Sequence, residues 1–160
     1  MRKDPEMITE EQKEKRAQIK ERLLGYRKAL ERVENAKMQL ETLQEIIDFT
    51  PPDYKNPKVP GAKRKDFAEK LAEIEAMHRE IDREWEDSIK ELIEIKKLLL
   101  LTDSPRGFNI LYRKYIRCQS WDTIAFEKTM DKRWTQRIHD RTLDEISENL
   151  ERKEKKDGNN

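Results

Sequence analysis

Apolar residues recur in alternating steps of four and three along the first two thirds of the chain, the spacing that places them on one side of a helix. The first such stripe lies in a proline-free segment, and Thr9-Glu10-Glu11-Gln12 at its start is typical of a capping box. Its members are Ile19, Leu23, Tyr26, Leu30, Val33, Leu40 and Ile47. The pattern therefore predicts one continuous helix over 9–48.

A second stripe with the same spacing predicts a helix over 63–101. Its members are Phe67, Leu71, Ile74, Ile81, Trp85, Leu92, Ile95 and Leu99. The connector 50–62 contains four prolines and cannot continue a helix. Two helices of similar length joined by a short, stiff connector predict an antiparallel coiled-coil hairpin.

Four polar residues interrupt the two stripes, namely Lys37, Gln44, His78 and Ser88. They either fix the register and partner of a coiled coil or lie at the solvated edge of a loose pair. The stripes fit a hairpin that closes within one chain, and they fit equally a homodimer that exchanges helices. The sequence leaves both alternatives open.

Shorter helices are predicted for the last third of the chain. Leu98-Leu99-Leu100-Leu101 is apolar on every side of a helix, so more than one neighbour must cover it. Ser104-Pro105 then provides a cap and a first residue for a helix ending near Arg117, and Ser120 caps a second. A third begins near Asp131, and its predicted inner residues are Trp134, Ile138, Thr142, Leu143 and Ile146.

These elements define an all-α protein, with a helical hairpin over 9–101 followed by a helix-turn-helix domain over 104–150. Residues 1–8 are expected to form a flexible N-terminus, and the charged segment 151–160 a disordered tail. The net charge is only +1, but residues 106–141 contain nine Lys and Arg against four Asp and Glu. The positive excess is therefore confined to the helix-turn-helix segment, which favours nucleic acid as a partner.

Enzymatic chemistry is not expected. The chain has two histidines and one cysteine without metal-ligand spacing, and it has no glycine-rich phosphate loop. We therefore predict no catalytic residue, no metal and no cofactor. No segment reaches the length and apolarity of a membrane span, and no signal peptide precedes the first helix, so we expect a cytoplasmic protein without membrane contact.

A short helix, a tight turn and a second helix with a basic outer face resemble the units that read the major groove of double-stranded DNA. On this interpretation the base-reading residues, near the start of the last helix, are Lys132, Arg133, Gln136 and Arg137. Ser120, Thr129 and Arg141 are placed for phosphate contacts, and His139 is assigned to the helix surface or to phosphate. The competing interpretation is the ordinary basic surface of a helical bundle.

The runs Leu111-Tyr112-Arg113-Lys114-Tyr115-Ile116, Ser120-Trp121-Asp122-Thr123-Ile124-Ala125 and 134–143 resemble region four of sigma-seventy factors. They are closer still to the ArpU-like late-gene regulators of phages and prophages of Gram-positive bacteria. The resemblance spans about 19–146 and implies a sequence-specific transcription regulator in a bacterial host, with RNA polymerase as a possible partner. Arg137, His139 and Arg141 match the recognition-helix pattern of the group. The departures are Lys128, Thr129 and Thr135, in place of an apolar residue, a glycine or asparagine, and a valine.

Two alternatives belong to other classes of protein. A small-terminase-like subunit for phage DNA packaging also joins a helix-turn-helix to a coiled coil, usually in the opposite order, and assembles as a ring. A protein-protein adaptor that acts on host polymerase would have lost DNA binding, which the departures in the turn would explain.

Overall fold

The computed structural model describes residues 8–49 and 61–158, with side chains from residue 65 onward in the second range. All regular structure in these residues is helical, as the sequence predicts. The elements are α1 (Glu10–Leu23), α2 (Gly25–Asp48), α3 (Gly61–Leu99), α4 (Pro105–Leu111), a π-helical turn (Tyr112–Ile116), α5 (Trp121–Glu127) and α6 (Lys132–Gly158). None of the described helices is both long and apolar enough to cross a membrane.

Local signals set three helix starts where the sequence predicts them. The Thr9 hydroxyl accepts from the Gln12 amide at 3.2 Å while the Gln12 side chain accepts from the Thr9 amide, so the capping box is present. Ser104 caps α4 with Pro105 as its first residue, and Ser120 caps α5. Each cap satisfies an amide that has no partner within its own helix.

The observed helices differ from the expected ones at several points. The helix predicted over 9–48 is interrupted at Leu24, directly before Gly25, and α3 begins two residues before the expected start. The segment 151–158, expected to be a disordered tail, continues α6 as helix. The expectations for residues 1–7 and for most of the connector, 50–60, lie outside the described residues.

The described chain folds as two compact units. One of them, Lys28–Ile89, contains most of α2 and α3, with Ala29, Val33 and Ala36 buried. Within it the Arg32 guanidinium donates to Glu84 at 3.1 Å. Leu71 and Trp85, which the pattern places in the apolar stripe, are 43% and 48% exposed.

The other unit joins 8–27 to 90–158, which corrects the expected division between 9–101 and 104–150. The end of α3 is inserted into the core of the C-terminal helices because Leu98 and Leu99 need cover on several sides. The α1 helix contributes to the same core, which is why it does not belong to a separate hairpin. The buried members are Ile19, Leu23, Ile95, Leu98, Leu99, Leu111, Tyr115, Leu143 and Ile146.

Candidate nucleic-acid interface

The turn between α5 and α6 is four residues long and left-handed at Thr129, where φ is 53°. The next residue in the turn is Met130, and its amide donates to the Ala125 carbonyl at 2.9 Å. This hydrogen bond closes the turn back onto α5. The Asp131 carboxylate then accepts from the amides of Arg133 and Trp134 at 2.8 and 3.2 Å. This side chain caps α6 and fixes the direction in which the helix leaves the turn.

A small apolar cluster holds α5 against α6. Ile110, Ile124 and Ile138 form its buried part, with Trp121 and Met130 packed against it. Thr135 is fully buried, and its hydroxyl donates to the Asp131 carbonyl at 2.9 Å. That bond offsets the cost of burying the Thr135 hydroxyl.

Three arginines form a row on the exposed face of α6. Arg133, Arg137 and Arg141 are four residues apart, and all are exposed. The Arg141 guanidinium lies over the Trp134 ring, 5.4 Å from its centroid. Trp134 is 38% exposed, so its expected inward position is wrong, and it supports Arg141 on the same open surface.

The other two expected base-reading residues lie to one side of this row. Lys132 forms a 3.1 Å salt bridge with Asp122 of α5, and Gln136 is half-buried. The side chains of Asp122 and Lys132 are both more than half exposed. A stronger anion can therefore compete with Asp122 for the Lys132 ammonium group.

The expected phosphate-binding residues divide into two groups. Ser120, Thr129 and Arg141 are exposed, as a phosphate contact requires. The Ser120 hydroxyl accepts from the Thr123 amide at 3.2 Å and shares a second hydrogen bond, of 2.8 Å, with the Thr123 hydroxyl.

His139 is buried, and its assignment to the surface or to phosphate is wrong. Only 4% of the residue is exposed, because this side of α6 faces the π-helical turn and α5. Nε2 lies 2.6 Å from the Tyr115 hydroxyl and Nδ1 lies 2.9 Å from the Asp140 carboxylate, while Trp121 packs edge-on against the ring. Both nitrogens have partners inside the protein, so His139 is part of the support of α6.

The groups around His139 titrate away from their ordinary ranges. Burial and the negative charge of Asp140 raise the pKa of Tyr115 well above the usual tyrosine range. Burial also raises the pKa of Asp140, but the hydrogen bond from His139 and the positive charges of Arg16 and Lys20 outweigh it and leave the pKa lowered. At neutral pH the Tyr115 side chain is therefore a neutral phenol, and the Asp140 side chain is an ionised carboxylate.

A second group of cations was missed by the sequence reasoning. The ammonium group of Lys114, in the π-helical turn, lies 4.8 Å from the centroid of the Trp121 ring. Burial and the positive charges of Arg27 and Lys20 lower the pKa of Lys114. Lys20 and Lys114 are 94 positions apart in the sequence, so no local motif could have joined them. These three cations belong to elements other than α5 and α6.

Among the residues that the structure describes, no group of three or more His, Cys, Asp or Glu side chains is placed to hold a metal ion. Cys118 is a free, exposed thiol.

Comparison with known proteins brings no assignment of family. No family model matches the chain, and neither a curated protein nor a solved structure matches it.

Proposed function

We propose that this protein is a sequence-specific DNA-binding transcription regulator of phage or prophage genes, with a module like sigma region four acting in the cytoplasm of a bacterial host. The observation that carries the proposal is the exposed row Arg133, Arg137 and Arg141 on α6, directly after a capped turn. The coiled-coil hairpin that precedes this helix-turn-helix is part of the same proposal.

The row has the chemistry that base recognition needs. An α-helix fits the major groove of B-DNA, and the guanidinium group of an arginine near its start can donate two hydrogen bonds to guanine O6 and N7. Arg133 and Arg137 lie within the first two turns of α6, whereas Arg141 lies one turn further on. We assign the first two to bases, together with Lys132 and Gln136, and Arg141 to phosphate.

The turn supports this assignment independently of charge. A left-handed residue at Thr129 brings α6 back across α5, and the small, buried Ala125 lets the two helices approach closely. Thr129 stands where the helix-turn-helix pattern that this sequence resembles has glycine or asparagine, and here threonine adopts the left-handed backbone although it is a less favourable residue for it. Ser120 and Thr129, exposed at the two ends of α5, are assigned to phosphate.

The test is binding of double-stranded DNA from the surrounding genomic region, measured by fluorescence anisotropy over a salt series. A regulator should bind one fragment at least about 10³-fold more tightly than the others, with a log-log salt slope of several units. Arg133→Ala with Arg137→Ala should remove most of this preference, because each lost bidentate contact costs about 1–3 kcal/mol.

The matched control is Arg79→Ala with Arg83→Ala, which removes the same charge from exposed positions of α3. It should leave both affinity and preference unchanged. Equal losses in the two double variants would show a general effect of charge and contradict the assignment of α6. Binding of all fragments with one weak affinity would contradict a sequence-specific regulator.

A second copy of the chain is the protein partner that we propose for the unit Lys28–Ile89. Trp85 and Ile89 are 48% and 44% exposed, one turn apart on α3. These exposed apolar side chains are the surface through which we propose that two copies of α3 pair.

Mass measurement in solution tests this partner and separates the alternatives. A dimer that Trp85→Glu converts to a monomer supports the pairing, whereas a monomeric wild-type chain contradicts it. A ring of many subunits would favour the terminase-like alternative. Binding to RNA polymerase is tested by mixing the protein with the purified enzyme and measuring whether the two co-purify. A protein that binds polymerase but has no DNA affinity would be the adaptor.

A further inference from the structure

An exposed salt bridge joins the starts of α5 and α6. The ammonium group of Lys132, the first residue of α6, lies 3.1 Å from Oδ1 of Asp122, the second residue of α5. The two side chains are 52% and 81% exposed, so both charged groups are open to a partner in solution. An acidic group therefore lies in contact with a residue that the proposed function assigns to bases.

The two helix starts do not depend on Asp122. The Ser120 side chain caps α5, and the Asp131 carboxylate caps α6 by accepting from two of its first amides. An ion pair as exposed as that of Asp122 with Lys132 adds little to stability, because water solvates both groups well. The position of this carboxylate at the interface is therefore not explained by the fold alone.

The Asp122 carboxylate opposes contact between Lys132 and phosphate. A phosphate that approaches the Lys132 ammonium group must displace the carboxylate and is also repelled by its negative charge. Contacts with phosphate supply most of the affinity of DNA-binding proteins for unrelated sequences. We therefore expect Asp122 to weaken binding of any duplex that offers only phosphate at this point.

A G·C base pair satisfies both members of the salt bridge. In the major groove guanine presents the acceptors O6 and N7, and its paired cytosine presents the N4 amino group beside O6. A lysine ammonium group donates to the guanine acceptors, and an aspartate carboxylate accepts from the cytosine amino group. The ammonium group of Lys132 and the carboxylate of Asp122 are adjacent in the same way.

We propose that Asp122 is a specificity-determining residue of the DNA interface. It accepts a hydrogen bond from the cytosine of the G·C pair whose guanine Lys132 contacts, and it lowers the affinity for DNA that offers phosphate alone. This proposal rests on the proposed function and adds to it the base pair that Lys132 recognises and a contact from α5.

The experiment compares full-length Asp122→Ala with wild type on the specific duplex, on an unrelated duplex and on specific duplexes in which each G·C pair is replaced by A·T in turn. Wild type should lose about 5- to 150-fold in affinity at the pair that Lys132 and Asp122 contact. In Asp122→Ala the loss at that pair should be smaller by at least about fivefold. The unrelated duplex should bind to Asp122→Ala about two- to fivefold more tightly than to wild type.

Two further variants serve as controls. Asp122→Glu keeps the carboxylate and should retain the weak binding of the unrelated duplex. Asp66→Ala breaks a comparable salt bridge, of 3.3 Å between Asp66 and Lys70 in α3, and should leave every affinity unchanged. A purely structural role of Asp122 would weaken the specific and the unrelated duplex alike, which is the opposite of the expected gain on the unrelated one.

The outcomes distinguish the two proposals. If Asp122→Ala has the same losses at every G·C pair as wild type and no gain on the unrelated duplex, the role of Asp122 is wrong and the regulator proposal stands. A wild-type protein that does not prefer the specific duplex would overturn both.

Discussion

The hydroxyl of Tyr115 lies 2.6 Å from Nε2 of His139, and both residues are buried between the π-helical turn and α6. The ionised Asp140 carboxylate can only accept, so Nδ1 of His139 carries the proton that it shares at 2.9 Å. The Tyr115 hydroxyl and Nε2 share the second hydrogen bond of the imidazole ring. This chain of bonds fixes the rotation of α6 about its axis and thereby the side on which Arg133 and Arg137 lie.

Tyr115→Phe should destabilise the protein by about 1–3 kcal/mol, because it leaves the buried Nε2 of His139 without its hydrogen-bond partner. Urea unfolding followed by circular dichroism measures the difference. Tyr112→Phe is the matched control, since Tyr112 is half-buried and its ring stacking on Phe108 is kept. It should differ from wild type by less than about 0.5 kcal/mol. Equal stability of the two variants would contradict the role of the Tyr115 hydroxyl.

Stability should also fall at alkaline pH because burial raises the pKa of Tyr115. A tyrosine in the unfolded chain loses its proton near pH ~10, whereas the folded protein retains it. The unfolded state is therefore favoured increasingly as the pH rises above the unfolded pKa. Unfolding at a series of alkaline pH values should show a steeper loss in wild type than in Tyr115→Phe. Parallel curves would contradict this origin of the loss.

Ionisation of Asp140 should make the stability of the folded protein sensitive to acid. Although burial raises the pKa of this carboxyl, the hydrogen bond from His139 and the charges of Arg16 and Lys20 give a lowered pKa in the folded protein. Its stabilisation is present above the unfolded pKa of ~3.9 and is lost as the pH falls through the lower folded value. Asp140→Asn should flatten the decline of stability below pH ~4, whereas the exposed control Asp82→Asn should leave it unchanged.

Gly107 should tolerate no larger residue, because α4 approaches α6 closely at this position. A Cβ atom at Gly107 would overlap the Oγ1 atom and the methyl group of Thr142. Gly107→Ala should therefore destabilise by about 1–3 kcal/mol through overpacking, despite the better helix propensity of alanine. Combining it with Thr142→Ala should cost less than the sum of the single variants. Additive costs in thermal unfolding would show that the two positions do not interact.

Thr129→Gly should stabilise the protein by about 0.5–1 kcal/mol. A left-handed backbone costs a residue with a Cβ about 1–2 kcal/mol, and glycine avoids it, although glycine also gains entropy in the unfolded chain. Thr42→Gly, at an exposed position within α2, is the contrasting control and should destabilise by a similar amount. A lower melting temperature for Thr129→Gly would contradict the strain at this turn.

Local sequence signals located the helix caps at Thr9, Ser104 and Ser120 because each depends on an amide only three residues away. The same local analysis misplaced His139 and Trp134. Both residues fit a helical period, but the direction that counts as inward depends on which neighbours surround α6. The continuation of α6 through 151–158 was missed for a related reason, since its charged composition alone favours disorder. In the structure a salt bridge joins Lys15 of α1 to Glu151, the first residue of that segment.

The sequence by itself determined that this chain is helical, where three of its helices begin, and that its positive excess lies in 106–141. These features follow from periodicity, proline and capping, which act over a few residues. Only the tertiary structure decided that α1 and the end of α3 share one core with the C-terminal helices. It also decided that His139 is internal. Contacts between residues about 100 positions apart depend on how apolar faces are buried together, and no local pattern specifies that choice.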